Sequence, residues 1–228
     1  VVVDGQIFRC AGGVPHGQVD LAAALEKSCN GYFICLGQQL GAEKLLDAAQ
    51  AFGFGQSLPL AEGLAAEAGQ LPAPQELVQS GQLANFSFGQ GSLLATPMQV
   101  AALFNTIAVD GVYRAPYVLQ ATLDETTGQP VEPLSHPRGR RVLPAQSAAL
   151  LRTMLVQVVQ QGTAQDAAGV SGGAGGKTGT AQTGQFTPEG TERCNLWFAG
   201  FWPAEKPRYT IVAVSYTHLR AHETSQDL

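Results

Sequence analysis

Residues 175–181 read Gly175-Gly176-Lys177-Thr178-Gly179-Thr180-Ala181, and what surrounds them decides the fold. A lysine beside a threonine, flanked by glycines, leaves an ammonium group and bare backbone open to an anion. Such a run suits either a phosphate-binding loop or an open strand. The loop pattern G-x-x-x-x-G-K-[ST] requires a glycine at position 171, where Ser171 stands. It also requires a following helix whose N-terminus holds the phosphates. Thr180-Ala181-Gln182-Thr183-Gly184 is instead strand-like and then turns, and the segment before it, Ala167 to Ala174, is glycine-rich rather than apolar. Gly176 to Gln182 is therefore expected as a strand, and nucleotide binding through Lys177 is set aside.

Two more strands are expected downstream, Asn195 to Trp202 and Tyr209 to Ser215, joined by polar loops. Upstream the period is helical. Asp20 caps Leu21 to Lys27, Tyr32 to Leu40 is an apolar helix stopped by Gly41, and Ala42 to Phe52 stops at Gly53. Thr96-Pro97-Met98-Gln99 combines a threonine cap, a first-turn proline and a capping-box glutamine, opening a helix to about Val109. Pro144 to Gln161 is the longest helical pattern, ended by Gly162. Gln56 to Gln82 is expected to be irregular, Tyr117 to Leu123 a strand, and Glu125 to Pro137 a turn-rich loop. Helices followed by an antiparallel run of strands argue for an α+β domain.

Composition narrows the function. The 228 residues are 45% hydrophobic, enough for a sizeable core, and only 14% charged. A net charge of −5 implies no general affinity for nucleic acid or anionic lipid. No apolar run is long enough to span a membrane. Cys10, Cys29, Cys35 and Cys194 show no C-x-x-C spacing, so no zinc ribbon is legible; the four thiols allow three pairings, and the sequence selects none. His218 and His222 have a helical metal-binding spacing but no third ligand, so no metal site and no cofactor are expected.

A second motif, Ser28-Cys29-Asn30, lies between two apolar helices. Alone, S-x-N is a commonplace cap or turn, and Lys177 a solvated lysine. Together, the two are the second and third of the set S-x-x-K, S-x-N, K-T-G of serine acyl-transfer enzymes that react with penicillin. Around them, Cys10, His16-Gly17, Asp20-Leu21, Ala24-Leu25 and Ser28-Cys29-Asn30-Gly31-Tyr32-Phe33 follow the order of the approach to the second motif. Phe88-Gly89-Gln90-Gly91, Thr96-Pro97-Met98-Gln99, Gly162-Thr163-Ala164 and Trp197-Phe198-Ala199-Gly200-Phe201-Trp202-Pro203 continue it. From Cys10 to Ser215 the chain resembles monofunctional (class B) penicillin-binding transpeptidases. The resemblance implies the penicillin-binding transpeptidase and serine β-lactamase-like α+β fold, incomplete at both ends, with partners that are stem peptides ending in D-Ala-D-Ala and β-lactams. It further implies a membrane-anchored parent on the extracytoplasmic face, paired with a glycan polymerase. By that resemblance Ser28 relays a proton to the leaving amine, while Asn30 hydrogen-bonds the stem peptide and orients the catalytic lysine. Lys177 supplies positive field, Thr178 binds the terminal carboxylate, Gly179 permits close approach, and Thr180 gives a backbone N–H to the oxyanion hole. His16 is expected to be structural. A D,D-carboxypeptidase or β-lactamase-like hydrolase on the same fold, or a non-catalytic sensor module, are the alternatives.

The first motif is missing. Three residues before Lys27, Lys44, Lys177 and Lys206 stand Ala24, Gly41, Ala174 and Pro203, so the sequence holds no Ser-x-x-Lys. The expectation is an inactive fragment: a partial domain over 1–215, helical to about 165 with strands from about 175, that begins after the nucleophile. Residues 216–228 resemble translated adapter sequence and are expected to be a non-native tail.

Overall fold

The structure is a computed structural model, and it describes residues 1–133 and 138–216. A small ribbon, β1 (Val2–Val3) with β2 (Gln6–Ile7), precedes α1 (Leu21–Glu26), α2 (Asn30–Leu40) and α3 (Ala42–Ala51). Hairpin β3 (Leu58–Ala61)/β4 (Leu64–Ala66) leads to α4 (Ser80–Ser87) and α5 (Pro97–Ala108). Short strands β5 (Val112–Tyr113), β6 (Ala121–Leu123), β7 (Pro130–Pro133) and β8 (Arg140–Arg141) follow, pairing β5 with β8 and β6 with β7. Helix α6 (Ala145–Gln161) then gives way to β9 (Gly175–Phe186), β10 (Glu192–Trp202) and β11 (Tyr209–Tyr216). These three form an antiparallel sheet in the order β11-β10-β9, so β9 is an edge strand within it.

Sequence signals account for the helices that carry the core. Asp20 Oδ1 accepts from Ala23 N at 2.8 Å, capping α1. The expected capping box of α5 is present: Thr96 Oγ1 accepts from Gln99 N at 3.2 Å, and Gln99 Oε1 accepts from Thr96 N at 3.0 Å. Gln99 is also fully buried, and its Nε2 donates to the carbonyls of Gly53 (3.1 Å), Gln56 (3.3 Å) and Ala68 (2.7 Å). One side chain thus starts a helix and ties down the loop after α3. Phe104 and Ile107 of α5 and Leu155 of α6 pack against Ala199 and Phe201 of β10, forming the principal core. A second cluster joins Phe8, Ile34 of α2 and Ala84 of α4.

Several expectations shift. The stretch 56–82 holds the β3/β4 hairpin, a single 3₁₀ turn (Glu76–Val78) and the start of α4. Its Gly, Ala and Gln content masks a helix whose buried face is only Leu83 and Ala84. Within 117–123 only Ala121–Leu123 is a strand. Pro116 brings no N–H to a ladder, and Val118 N instead makes a single bond to Leu60 O at 3.0 Å. The loop after residue 125 includes β7, while residues 134–137 lie outside the described residues. Strand β9 runs on to Phe186 and β10 begins at Glu192, so the hairpin is longer than the apolar pattern indicates. Strand β11 includes Tyr216, and the rest of the expected tail, 217–228, lies outside the described residues.

Candidate active site

Ser28 occupies the turn directly after α1. Lys27 N bonds Ala23 O (3.0 Å), Cys29 N bonds Ala24 O (2.8 Å), and Ser28 itself has φ 55°. This is the left-handed position at which helices favour glycine, and a serine there costs about 1–2 kcal/mol. Ser28 holds that conformation with its hydroxyl aimed at a charged group.

The charged group is Lys177. Its Nζ donates to Ser28 Oγ at 2.9 Å, to Thr163 Oγ1 at 3.3 Å and to its neighbour's carbonyl, Thr178 O, at 2.9 Å. All three ammonium hydrogens are engaged by neutral acceptors. No carboxylate comes within ion-pair distance of it among the described residues. Burial without a counter-charge lowers the Lys177 pKa to about 8, from the ordinary 10.5. A lysine so placed exchanges protons with a hydroxyl near neutral pH and, when charged, offers its field to an incoming anion.

Thr163 holds this arrangement together. Thr178 Oγ1 donates to Thr163 Oγ1 at 3.1 Å, so one hydroxyl lies between the lysine and the following threonine. Gly162 places it: a Cβ there would meet Glu26 O at 2.6 Å and Val158 Cα at 2.9 Å, so only glycine lets the end of α6 lie against the end of α1. Thr163 N then bonds Glu26 O at 3.2 Å, two residues before Ser28. The ends of the two helices therefore present Ser28 and Thr163 to one lysine. The family-like stretch Gly162-Thr163-Ala164 assigns Thr163 no role from sequence.

Along β9 the backbone follows the β10 register, with Thr178 opposite Phe198 and Thr180 opposite Leu196. Thr178 O accepts from Lys177 and Thr180 O accepts from Gln90 Nε2 at 2.9 Å. Both carbonyls point away from β10, and in a strand the N–H of the same residue points the same way. The open edge thus presents the N–H groups of Thr178 and Thr180. Gln90 is a second group without a sequence-derived role; it is carried on the Phe88-Gly89-Gln90-Gly91 turn, where Gly89 and Gly91 both take positive φ. Gly176 is packed tightly, a Cβ there meeting the Phe198 ring at 2.7 Å. Gly179 is different: it is exposed, its φ is not positive, and a Cβ would sit at an ordinary 3.6 Å from Trp197 Cβ. The chain's own packing does not require glycine there.

Six residues were expected at the site. Ser28, Lys177 and Thr178 are joined by hydrogen bonds, and Gly179 and Thr180 continue the same edge. Asn30 is the first residue of α2, two positions from Ser28, and its Nδ2 donates to Arg9 O at 3.0 Å; the lysine it is expected to orient belongs to the Ser-x-x-Lys pair, which the sequence does not hold.

Comparison with known proteins identifies the family. The sequence pattern of the penicillin binding protein transpeptidase domain matches residues 8–226, and the chain belongs to that family. It is 32% identical over 209 residues to stage V sporulation protein D of Bacillus subtilis, covering 92% of this chain and 32% of that protein. It is 33% identical over 213 residues to the peptidoglycan D,D-transpeptidase PbpA of Mycolicibacterium smegmatis, covering 89% and 40%. Among solved structures, penicillin-binding protein A of Mycobacterium tuberculosis as a ceftriaxone acyl-enzyme superposes with a TM-score of 0.82 at 27% identity, over 94% of this chain and 47% of that one. Penicillin-binding protein 3 of M. tuberculosis with ampicillin gives 0.74 at 33% identity, over 86% and 44%. The expected α+β transpeptidase fold is borne out. The chain spans about a third of the length of the curated relatives it matches.

Proposed function

We propose that this chain carries the Ser-x-Asn and Lys-Thr-Gly half of a peptidoglycan D,D-transpeptidase site, which acts on stem peptides ending in D-Ala-D-Ala and is acylated by β-lactams on the outer side of the membrane. The observation that carries the reading is the 2.9 Å contact between Lys177 Nζ and Ser28 Oγ, made by residues 149 positions apart beside an open strand edge. In this reading the ligand lies along the β9 edge as an added strand, using the outward N–H and C=O groups of Thr178 and Thr180. Its carboxylate meets Lys177 and the Thr178 hydroxyl. The Thr180 N–H faces the carbonyl oxygen that becomes the oxyanion, which favours the tetrahedral intermediate over the planar substrate. Ser28 passes a proton to the departing amine, resupplied through Lys177. Gly179, free of packing duty, leaves room for the ligand backbone.

The attacking serine belongs to a Ser-x-x-Lys pair that these 228 residues do not contain. The chain by itself is therefore inactive: it holds the proton relay and carboxylate site without a nucleophile. Intact mass after incubation with a penicillin tests this. The isolated chain stays at its unmodified mass, and a stable acyl adduct on it, at Ser28 or elsewhere, would falsify the reading.

A further inference from the structure

Both outward carbonyls of β9 beside Lys177 already have partners within the chain. Thr178 O accepts from the strand's own Lys177, and Thr180 O accepts from Gln90, 90 positions away. Gln90 Nε2 stands 2.9 Å from Thr180 O, which is the N···O distance of a sheet ladder. That carbonyl points away from β10, toward the side where an added strand would lie. The amide nitrogen of Gln90 therefore fills the place to which such a strand would bring its own N–H.

We infer that Gln90 is a gate on the β9 edge, which a ligand adding as a strand must displace, and that it selects ligands bearing an N–H at that point. The inference rests on the edge-strand reading above and gives it a specificity. In antiparallel pairing, residues of a hydrogen-bonded pair exchange both of their bonds. A ligand residue whose carbonyl meets the Thr180 N–H thus turns its own N–H toward Thr180 O. In a peptide ending in D-Ala-D-Ala that residue is the penultimate alanine. Two nitrogens cannot stand in one place, so the ligand's donor replaces the chain's. A ligand with this N–H trades bond for bond. One with an ester oxygen there sets two acceptors against each other and forfeits the bond.

The turn that carries Gln90 suits a side-chain swing. Gly89 N bonds Phe86 O at 3.1 Å and Gln90 N bonds Asn85 O at 2.9 Å, so the backbone is fastened to the end of α4. Gly89 (φ 82°) and Gly91 (φ 84°) take the left-handed turns on either side, and both are exposed. Rotation about the Gln90 side-chain bonds is enough to free Thr180 O, with β9 left in place.

NMR titration of the full 228-residue chain with N-acetyl-D-Ala-D-Ala tests the gate. Saturation is expected to shift the Thr178 and Thr180 backbone amides and to move the Gln90 side-chain amide signals to those of a solvated glutamine. Gln90→Met, which keeps the length and loses the donor, should bind the peptide about two- to tenfold more tightly, as should Gln90→Ala. O-acetyl-D-lactyl-D-alanine, with an ester oxygen in place of that N–H, should bind the unsubstituted chain about tenfold more weakly than the peptide. The gate is overturned if the β9 amides shift while the Gln90 signals stay as they were, if neither variant binds more tightly, or if the ester binds as well as the peptide. Thr178 and Thr180 amides that ignore the peptide at every concentration overturn the edge-strand reading itself, and the gate with it. The titration of the unsubstituted chain decides the matter even where a variant fails to fold.

Discussion

Ser28 and Lys177 each give up stability to stand where they do. Ser28→Gly relieves the left-handed strain, so it is expected to raise the stability of the chain by about 1 kcal/mol, while removing the hydroxyl that Lys177 contacts. Chemical denaturation checks the first effect; a lower stability would show that the Ser28–Lys177 bond outweighs the strain. Lys177 carries the complementary cost. Its folded pKa of about 8 lies below the unfolded 10.5, so between those values the unfolded chain binds the extra proton. Stability therefore rises as pH climbs from about 8 towards 10.5 and the penalty is fully present below about 8. Lysine-selective NMR should show one ammonium titrating near 8, and Lys177→Met should remove both that titration and this part of the pH dependence. A Lys177 titrating above 10 would mean that an unseen charge or solvent stabilises it. Sequence alone placed these two residues because their motifs are short, ordered and chemically specific. It left out Thr163 and Gln90, whose roles depend on where helix ends and a turn meet β9, and it did not show that Asn30 Nδ2 is held by Arg9 O.

At the level of elements, legibility followed the strength of the local signal. The α5 box was readable because Thr96, Pro97 and Gln99 each favour the same start, whereas α4 has no side-chain cap and a narrow buried face. The further burial of Gln99 could not be read, since three of its partners come from residues 53–68. Gln99→Leu leaves those carbonyls without a donor and is expected to cost roughly 2–3 kcal/mol. A loss below about 0.5 kcal/mol in denaturant unfolding would mean that water replaces the amide. Between elements, Gly162→Ala forces α6 away from the Glu26 carbonyl. Thr163 then leaves Lys177, and the Lys177 titration should move. An unchanged titration would show that Thr163 is not held by this contact.

Across the whole molecule, the three-stranded sheet covers one face better than the other. Phe201 and Ala199 are buried against α5 and α6, while Tyr209 (62% exposed), Ile211 (57%), Leu196 (43%) and Trp202 (36%) remain open. The register puts these four on one face, Trp202 opposite Tyr209, Gly200 opposite Ile211 and Leu196 opposite Ser215. An apolar sheet face beside unpaired edges favours association. The 228-residue chain is accordingly expected to bind a hydrophobic dye and to self-associate with rising concentration, and Tyr209→Thr/Ile211→Thr should lessen both. Sequence alternation showed the strands but not which face lies open, because both faces of β10 carry large apolar residues. The proposed acyl transfer is divided between this chain and a Ser-x-x-Lys segment, and mass spectrometry with a penicillin tests that division. The isolated chain should stay unmodified, and the same residues joined in one polypeptide to a family Ser-x-x-Lys segment should gain one acyl group on that serine, lost with Lys177→Ala. An adduct on the isolated chain, or acylation of the joined protein that Lys177→Ala leaves unchanged, would contradict the account.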